Sequence, residues 1–442
     1  MKKSILFIRV IFTLALCLSA LLLAGCAPTP GYTGTANSID SMNKKTVFTI
    51  CVDPSSNRAY GRFLNRLSSM YPQIEFVFER IPSDPGKNLR TEEITGQMTK
   101  LRTQIMSGQG PDLFILSDDN PLLFADPNKQ MRAGVFADLA PYLESIAADA
   151  SLNETVLAAG RVDGVQYLLP LTYTLPGIIV PKSSLAGCDA GPDDTPSAFL
   201  EKLLAHCGGA TLAPLNQLYF APNQVAFVPA LDHNAKAVRF DEELLCLLGQ
   251  VGAEMEQSLH YGPLDFPSED CPFMSGVLGG QGMEPSAFSL LTQEIEAAVL
   301  PIPNGQGGVT ASIDLYAGIR ANSPYGELAG KILSRLVAPE ALVFEEPGTL
   351  QYLYSVNRDA VRPLLDDYFS VKCRLVELPE LDCTGLADQL AAAAEQINTA
   401  RFSGAGNEAL EFDVLAYLST GRATLEEAAG DFAKKYRFYF DE

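Results

Sequence analysis

Apolar positions between residues 46 and 120 switch back and forth between two periods. Val47 to Val52 is β-branched and weakly alternating, which predicts a first strand. Tyr60, Phe63, Leu64, Leu67 and Tyr71 then recur at helical spacing until Pro72 ends the run. Ile74 to Phe78 predicts a second strand, and Ile94, Met98, Leu101 and Ile105 mark one stripe of a second helix. Gly108 and Gly110 suit the left-handed backbone of a helix C-cap, and Pro111 stops the helix continuing. Leu113 to Leu116 is too short for a helix and unbroken by polar residues, the pattern of a strand covered on both faces. A β-α-β-α-β order with short connections predicts an α/β fold with a parallel sheet and right-handed crossovers. Ligands in such sheets sit beyond the carboxyl ends of the strands. Two polar turns therefore stand out: Asp53-Pro54-Ser55-Ser56-Asn57 and Ser117-Asp118-Asp119-Asn120. The same pattern suits any βα turn of any α/β protein.

Farther along, Asp163-Gly164 turns into a strand, Pro170 interrupts, and Gly177 to Val180 forms a second strand, a pattern expected of a crossing between lobes. Thr195 as N-cap with Pro196 at the first helical position opens a helix carrying Phe199, Leu200, Leu203 and Leu204. Asp241 opens another, with Leu244, Leu245, Leu248, Val251 and Met255 inward. Residues 271–283 are glycine-rich but lack the Lys-Ser/Thr of a phosphate loop. Ala298 to Ile302 reads as a strand, and Ser323 with Pro324 as the N-cap and first residue of a helix bearing Leu328, Ile332 and Leu336. The last third reads as helical, with a capping box at Thr424 and Glu427.

The amino end changes the picture. Lys2, Lys3 and Arg9 precede an almost wholly apolar run from Val10 to Leu23, as in an export signal. Leu23-Ala24-Gly25-Cys26 resembles the lipobox of bacterial lipoproteins, which implies cleavage before Cys26, lipid on its thiol and acylation of the new amino end. Residues 27–45, with Pro28, Pro30, Gly31 and Gly34 and no periodicity, read as a tether. The expected segments are thus a leader over 1–25 and a lipidated tether over 26–45.

The chain has 442 residues, 47% of them hydrophobic, enough for two domains with cores. Its net charge of −21 argues against nucleic acid or an anionic membrane surface as a partner. Of nine cysteines, seven remain once Cys17 leaves with the leader and Cys26 carries lipid: Cys51, Cys188, Cys207, Cys246, Cys271, Cys373 and Cys383. None has zinc-like spacing, so no metal is expected; whether Cys373 and Cys383 are joined stays open at this point. There is no Gly-x-Ser-x-Gly elbow, His-Glu-x-x-His or Walker lysine, and His206, His233 and His260 are the only imidazoles. A hydrolase built on two carboxylates would need none of these, but the expectation is a non-enzyme without cofactor.

Four pieces in order behind the lipobox carry a resemblance: Gly108-Gln109-Gly110-Pro111-Asp112-Leu113-Phe114, the run Gly164 to Lys182, Ala317-Gly318-Ile319-Arg320-Ala321-Asn322-Ser323-Pro324, and Gly421 to Ala429. Together the chain resembles the extracellular solute-binding proteins, family 1, of ABC importers, the maltose-binding-protein type. That resemblance implies a two-lobed α/β clamshell with hinge crossings, lobe one being 46–170 with 300–345 and lobe two 171–299 with 346–442. It implies a monomer, anchored to the cell membrane by lipid only and facing the exterior or periplasm. A small polar solute, carbohydrate favoured, would be presented to a permease with a separate ATPase; a ligand sensor of the same fold is the alternative. Carrying binding positions across gives Asp119 with Asp118 beside it, the family's following arginine falling on Asn120 and its preceding tryptophan on Leu116. The crossing strand gives Thr174 beside Tyr173, the first-strand loop Ser55, Ser56 or Asn57, the second crossing Asp314 and Tyr316, and the glycine-rich loop Gln281. Sugar binders of this family usually stack pyranose rings on tryptophan. The chain has no Trp, so Tyr or Phe would have to substitute.

Overall fold

The computed structural model describes residues 45–82, 91–118, 122–148, 150–207, 230–232, 237–239, 274–279, 290–342, 354–375, 377, 381–402 and 434–437. The leader, Cys26, the tether to residue 44, the helix expected at Asp241 and the capping box at Thr424 lie outside the described residues. In chain order come β1 (Thr46–Val52), α1 (Pro54–Met70), β2 (Ile74–Arg80), α2 (Thr91–Met106) and β3 (Leu113–Ser117). Next are α3 (Pro127–Arg132), α4 (Ala140–Ala147), α5 (Glu154–Ala158), the small hairpin of β4 (Arg161–Val162) and β5 (Val165–Gln166), and the long strand β6 (Leu169–Pro181). After α6 (Pro196–Cys207) follow β7 (Ala230–Asp232), β8 (Ala237–Arg239), β9 (Met274–Leu278), β10 (Ala297–Pro301) and β11 (Val309–Ile319). The last elements are α7 (Gly326–Leu336), β12 (Tyr354–Ser355), α8 (Arg358–Leu375), α9 (Thr384–Ala394) and β13 (Ile397–Phe402).

The βαβαβ pattern folds as its periodicity predicts: β2, β1 and β3 lie side by side and parallel, in that order. Tyr60, Leu64 and Leu67 of α1 and Ile94, Met98, Leu101 and Ile105 of α2 are buried, sharing one core with Phe48, Ile50, Phe114 and Ile115. Burying each such side chain is worth about 1.5–3 kcal/mol, so the stripe rather than any single residue decides where each helix lies.

Beyond β3 the sheet is mixed. β11 runs antiparallel to both β3 and β6, giving the order β2-β1-β3-β11-β6-β10. β6 is one unbroken strand of 13 residues, all buried, where a break at Pro170 was expected. Pro170 lies only one residue into it, where its missing N–H costs the ladder little. The strand changes neighbours part-way. Leu169 to Thr174 pairs with β11, and Thr172 and Tyr173 also with β12; Leu175 to Ile179 pairs with β9, and Gly177 to Pro181 with β10.

Three other local expectations change. Asp53 to Asn57 is not a turn: Asp53 is the N-cap of α1 and Pro54 its first residue. α7 begins at Gly326 rather than Pro324: the Ser323 hydroxyl accepts from the Tyr325 N–H at 3.2 Å while donating to Asp112 Oδ1 at 2.8 Å, and the helix starts only beyond that turn. The last third is not wholly helical, since β12 and β13 fall within it. Thr195 does cap α6, its hydroxyl oxygen accepting from the Ala198 N–H at 3.2 Å.

Candidate functional site

The carboxyl ends of β1 and β3 are tied together by Asp53. One carboxylate oxygen accepts from the Ser56 N–H (2.7 Å), while the Ser56 hydroxyl accepts from the Asp53 N–H (3.0 Å), a reciprocal cap. The other carboxylate oxygen accepts from the Ser117 N–H (2.5 Å) and hydroxyl (2.6 Å). Asp53 is 1% exposed and Ser56 fully buried. Both are therefore committed to holding the edge of the sheet in shape. The Asp-Pro-Ser-Ser sequence carried a readable signal for this role, an N-cap followed by proline at the first helical position.

Next to this tie the chain brings together three of the sequence candidates. Asp118, 8% exposed, follows β3 directly, and its N–H donates to the Asp314 carbonyl at 2.8 Å. Asp314 sits where the register between β11 and β6 slips, between Ile313 and Leu315. Such a bulge re-aims a side chain out of the ladder; here the Asp314 carboxylate accepts from the Thr174 hydroxyl at 3.2 Å. Thr174 is the last residue of β6 paired with β11 before the strand changes neighbours. The Asp118 and Asp314 backbones, the Asp314 carboxylate and the Thr174 hydroxyl thus meet where β6 passes from one section of sheet to the other. Such a group can accept hydrogen bonds from hydroxyl or ammonium donors.

The electrostatics match. Burial, followed by the negative charge of Asp118, Asp53 and Asp126, holds the Tyr316 phenol well above its ordinary value. Burial, with Glu79 and Asp53 adding to it, does the same to the Cys51 thiol. Asp126, which the sequence reading did not single out, is 4% exposed and caps α3 by accepting from the Asn128 N–H.

The remaining candidates are scattered. Tyr173 and Tyr316 are each 1% exposed: Tyr173 stacks on Tyr354 with ring centres 5.4 Å apart, and Tyr316 meets Phe402 edge-on at 5.3 Å. Both rings are core in this structure. Leu116 is buried too. Ser55 is half-buried, and Asn57 accepts from the Arg80 guanidinium at 2.6 Å. Asp119, Asn120 and Gln281 lie outside the described residues. Among the imidazoles His206 is described, exposed and hydrogen-bonded to the Ser184 carbonyl. Among the described residues no group of three or more His, Cys, Asp or Glu side chains is arranged to hold a metal.

At the opposite end of β3 two of the sequence motifs meet. The Arg320 guanidinium donates to Asp112 Oδ1 (3.0 Å), to the Pro111 carbonyl (3.0 Å), and to the Gly108 carbonyl (2.7 Å) and Asn322 Oδ1 (2.6 Å). Asp112 Oδ2 accepts from the Thr49 N–H (3.0 Å). Gly108 has φ +75°, and a Cβ there would fall 2.4 Å from the Asn322 amide, so the motif needs glycine for both conformation and space. These residues build the scaffold that presents β3.

No protein-family model matches the chain, and no curated protein sequence does. Solved structures match by shape. An extracellular solute-binding protein of family 1 from Alicyclobacillus acidocaldarius is 14% identical over 90% of this chain and 100% of its own, with a TM-score of 0.55. The cyclic alpha-maltosyl-1,6-maltose binding protein of Arthrobacter globiformis is 16% identical over 90% and 99%, with a TM-score of 0.53. A de novo designed cysteine esterase aligns over 90% and 98% at 13% identity, with a TM-score of 0.56. The chain has the fold of the extracellular solute-binding proteins. Because a fold hosts more than one chemistry, the likeness by itself assigns no ligand. No helix among the described residues is long and apolar enough to cross a membrane.

Proposed function

We propose that this protein is the solute-binding component of an ABC importer. It captures a small polar solute, carbohydrate favoured, between lobe one (46–170 with 300–345) and lobe two (171–299 with 346–442), and presents it to a permease served by a separate ATPase. It acts as a monomer held on the outer side of the cell membrane through lipid on Cys26. The observation that carries this reading is the meeting of Asp118, Asp314 and Thr174 at the residue where β6 changes sheet neighbours. A ligand held there touches the point about which the two sections would hinge, so its contacts can select a closed form. Carbohydrate is favoured because hydroxyl groups match carboxylate and threonine acceptors, and because the Arthrobacter protein of the same fold binds a cyclic maltosyl sugar. Asp119, next to Asp118, is assigned to the same ligand.

The test is a thermal-shift screen of residues 27–442 against sugars, oligosaccharides, amino acids, peptides and polyamines. Ligand at about a hundred times its dissociation constant adds roughly 2.7 kcal/mol to the native state, a shift of a few degrees. A selective sugar hit supports the reading. A response only to polyamines keeps solute binding but replaces the sugar with a cation paired to the carboxylates. No response across the panel counts against solute import.

A further inference from the structure

Cys373 near the end of α8 and Cys383, the residue before α9, face each other with their sulfurs 3.4 Å apart. They are 4% and 8% exposed. α8 and α9 pack side by side, and the Leu381 carbonyl also lies 4.0 Å from Cys373 Sγ. Both cysteines line a pocket of about 380 Å³ shared with Asp366, Arg374 and Asp382. Cys51 is buried in β1 and Cys188 half-buried, and neither faces another described sulfur.

Two thiols at this separation need only small side-chain rotations to reach bonding distance. An exported chain meets an oxidising environment in which such pairs persist as disulfides. We propose that Cys373 and Cys383 are joined by a disulfide in the folded protein outside the cytoplasm, stapling α8 to α9. Both S–H bonds are lost and one S–S bond forms. The two electrons and two protons pass to a second disulfide, such as oxidised glutathione, which leaves as two thiols. The unpaired form is chemically quiet: burial first, then the hydrogen bond to Cys373, pushes the Cys383 thiol up to about 12. Exchange needs the thiolate, so the bridge forms as the helices dock, and the burial of both sulfurs then shields it. The inference is independent of the ligand reading, and a failed solute screen leaves it untouched.

The full chain is refolded in an oxidising glutathione buffer, and the folded fraction is isolated, alkylated in denaturant without reduction and digested with trypsin. Cleavage after Lys372, Arg374 and Arg401 should release residues 375–401 bonded to the dipeptide 373–374, two hydrogens lighter than the separate peptides and parted by dithiothreitol. Finding both cysteines alkylated, or either joined to another cysteine, overturns the proposal. Dithiothreitol should also lower the Tm of the wild-type chain by a few degrees and leave that of the C373S/C383S variant unchanged; equal responses overturn it as well.

Discussion

β3 carries an aspartate at each end, and the two are handled in opposite ways. Asp112, before the strand, is closed off: a guanidinium, a backbone N–H and a hydroxyl meet its carboxylate, and the Arg320 that answers it is shared with three further acceptors. Asp118, after the strand, lies in a region of accumulated negative charge with Asp53, Asp126 and Asp314 around the Tyr316 phenol and the β11 bulge. A buried charge paired in this manner fixes geometry and is costly to disturb from either side. Around Asp118 the neighbouring charges named here are acidic instead, so a change of charge there acts on several carboxylates at once. The comparison teaches that residue type and strand position do not decide how an aspartate is held; the charge of the surroundings does.

The largest effect should come from breaking the closed end. Arg320→Ala leaves Asp112 buried without its cation and should cost about 3–5 kcal/mol, read as a lowered midpoint in urea unfolding. A loss below 1 kcal/mol would mean the two motifs are not coupled as described. Asp53→Ala removes the cap of α1 and the acceptor for Ser117, and should cost about 2–3 kcal/mol by the same measurement. At the other end of β3 the ranking reverses. Asp118→Asn should change unfolding by less than about 1 kcal/mol yet weaken the solute found by thermal shift by about 10- to 100-fold, the loss of charge-assisted hydrogen bonds worth about 1.5–3 kcal/mol; Asp119→Ala should behave likewise in calorimetry. Unchanged affinity in both would remove this end of β3 from the site. Thr174→Val, which loses one hydrogen bond to Asp314, should cost about 1 kcal/mol or less.

The smallest effect concerns alkaline pH. Burial, aided by the neighbouring carboxylates, raises the folded-state value of the Tyr316 phenol, so the folded chain holds this proton more tightly than the unfolded one. The contribution is therefore fully present below the unfolded value of about 10 and is lost as pH climbs above it. Unfolding midpoints should fall above that pH, more steeply in wild type than in Tyr316→Phe. Equal slopes would mean the ring ionises freely.

Much of this was legible in the sequence where the determining interactions are local. The stripes Tyr60-Leu64-Leu67 and Ile94-Met98-Leu101-Ile105 identify their helices and buried faces because helical spacing alone decides them. The position of Asp118 at a strand end follows from the short apolar run before it. What depends on a distant partner was hidden. Nothing near Asp112 announces Arg320, more than 200 residues later, and nothing near Leu169 announces that β11 will pair antiparallel with it. Ser56 looked like a loop hydroxyl but is consumed by Asp53 three residues earlier, a pattern that local capping rules could have found. Tyr173 and Tyr316 looked available for stacking, and only the positions of Tyr354 and Phe402 reveal them as core.

The placing of β3 between β1 and β11 also sets a timetable. Its pairing with β1 joins residues such as Ile50 and Leu113, but its other edge waits for residues 315–319. A chain emerging from its amino end therefore holds an open strand edge and an uncompensated Asp112 until some two hundred further residues have followed. Folding dominated by contacts so far apart in sequence is slow. β3 thus gains its second neighbour, and Asp112 its cation, only late in synthesis.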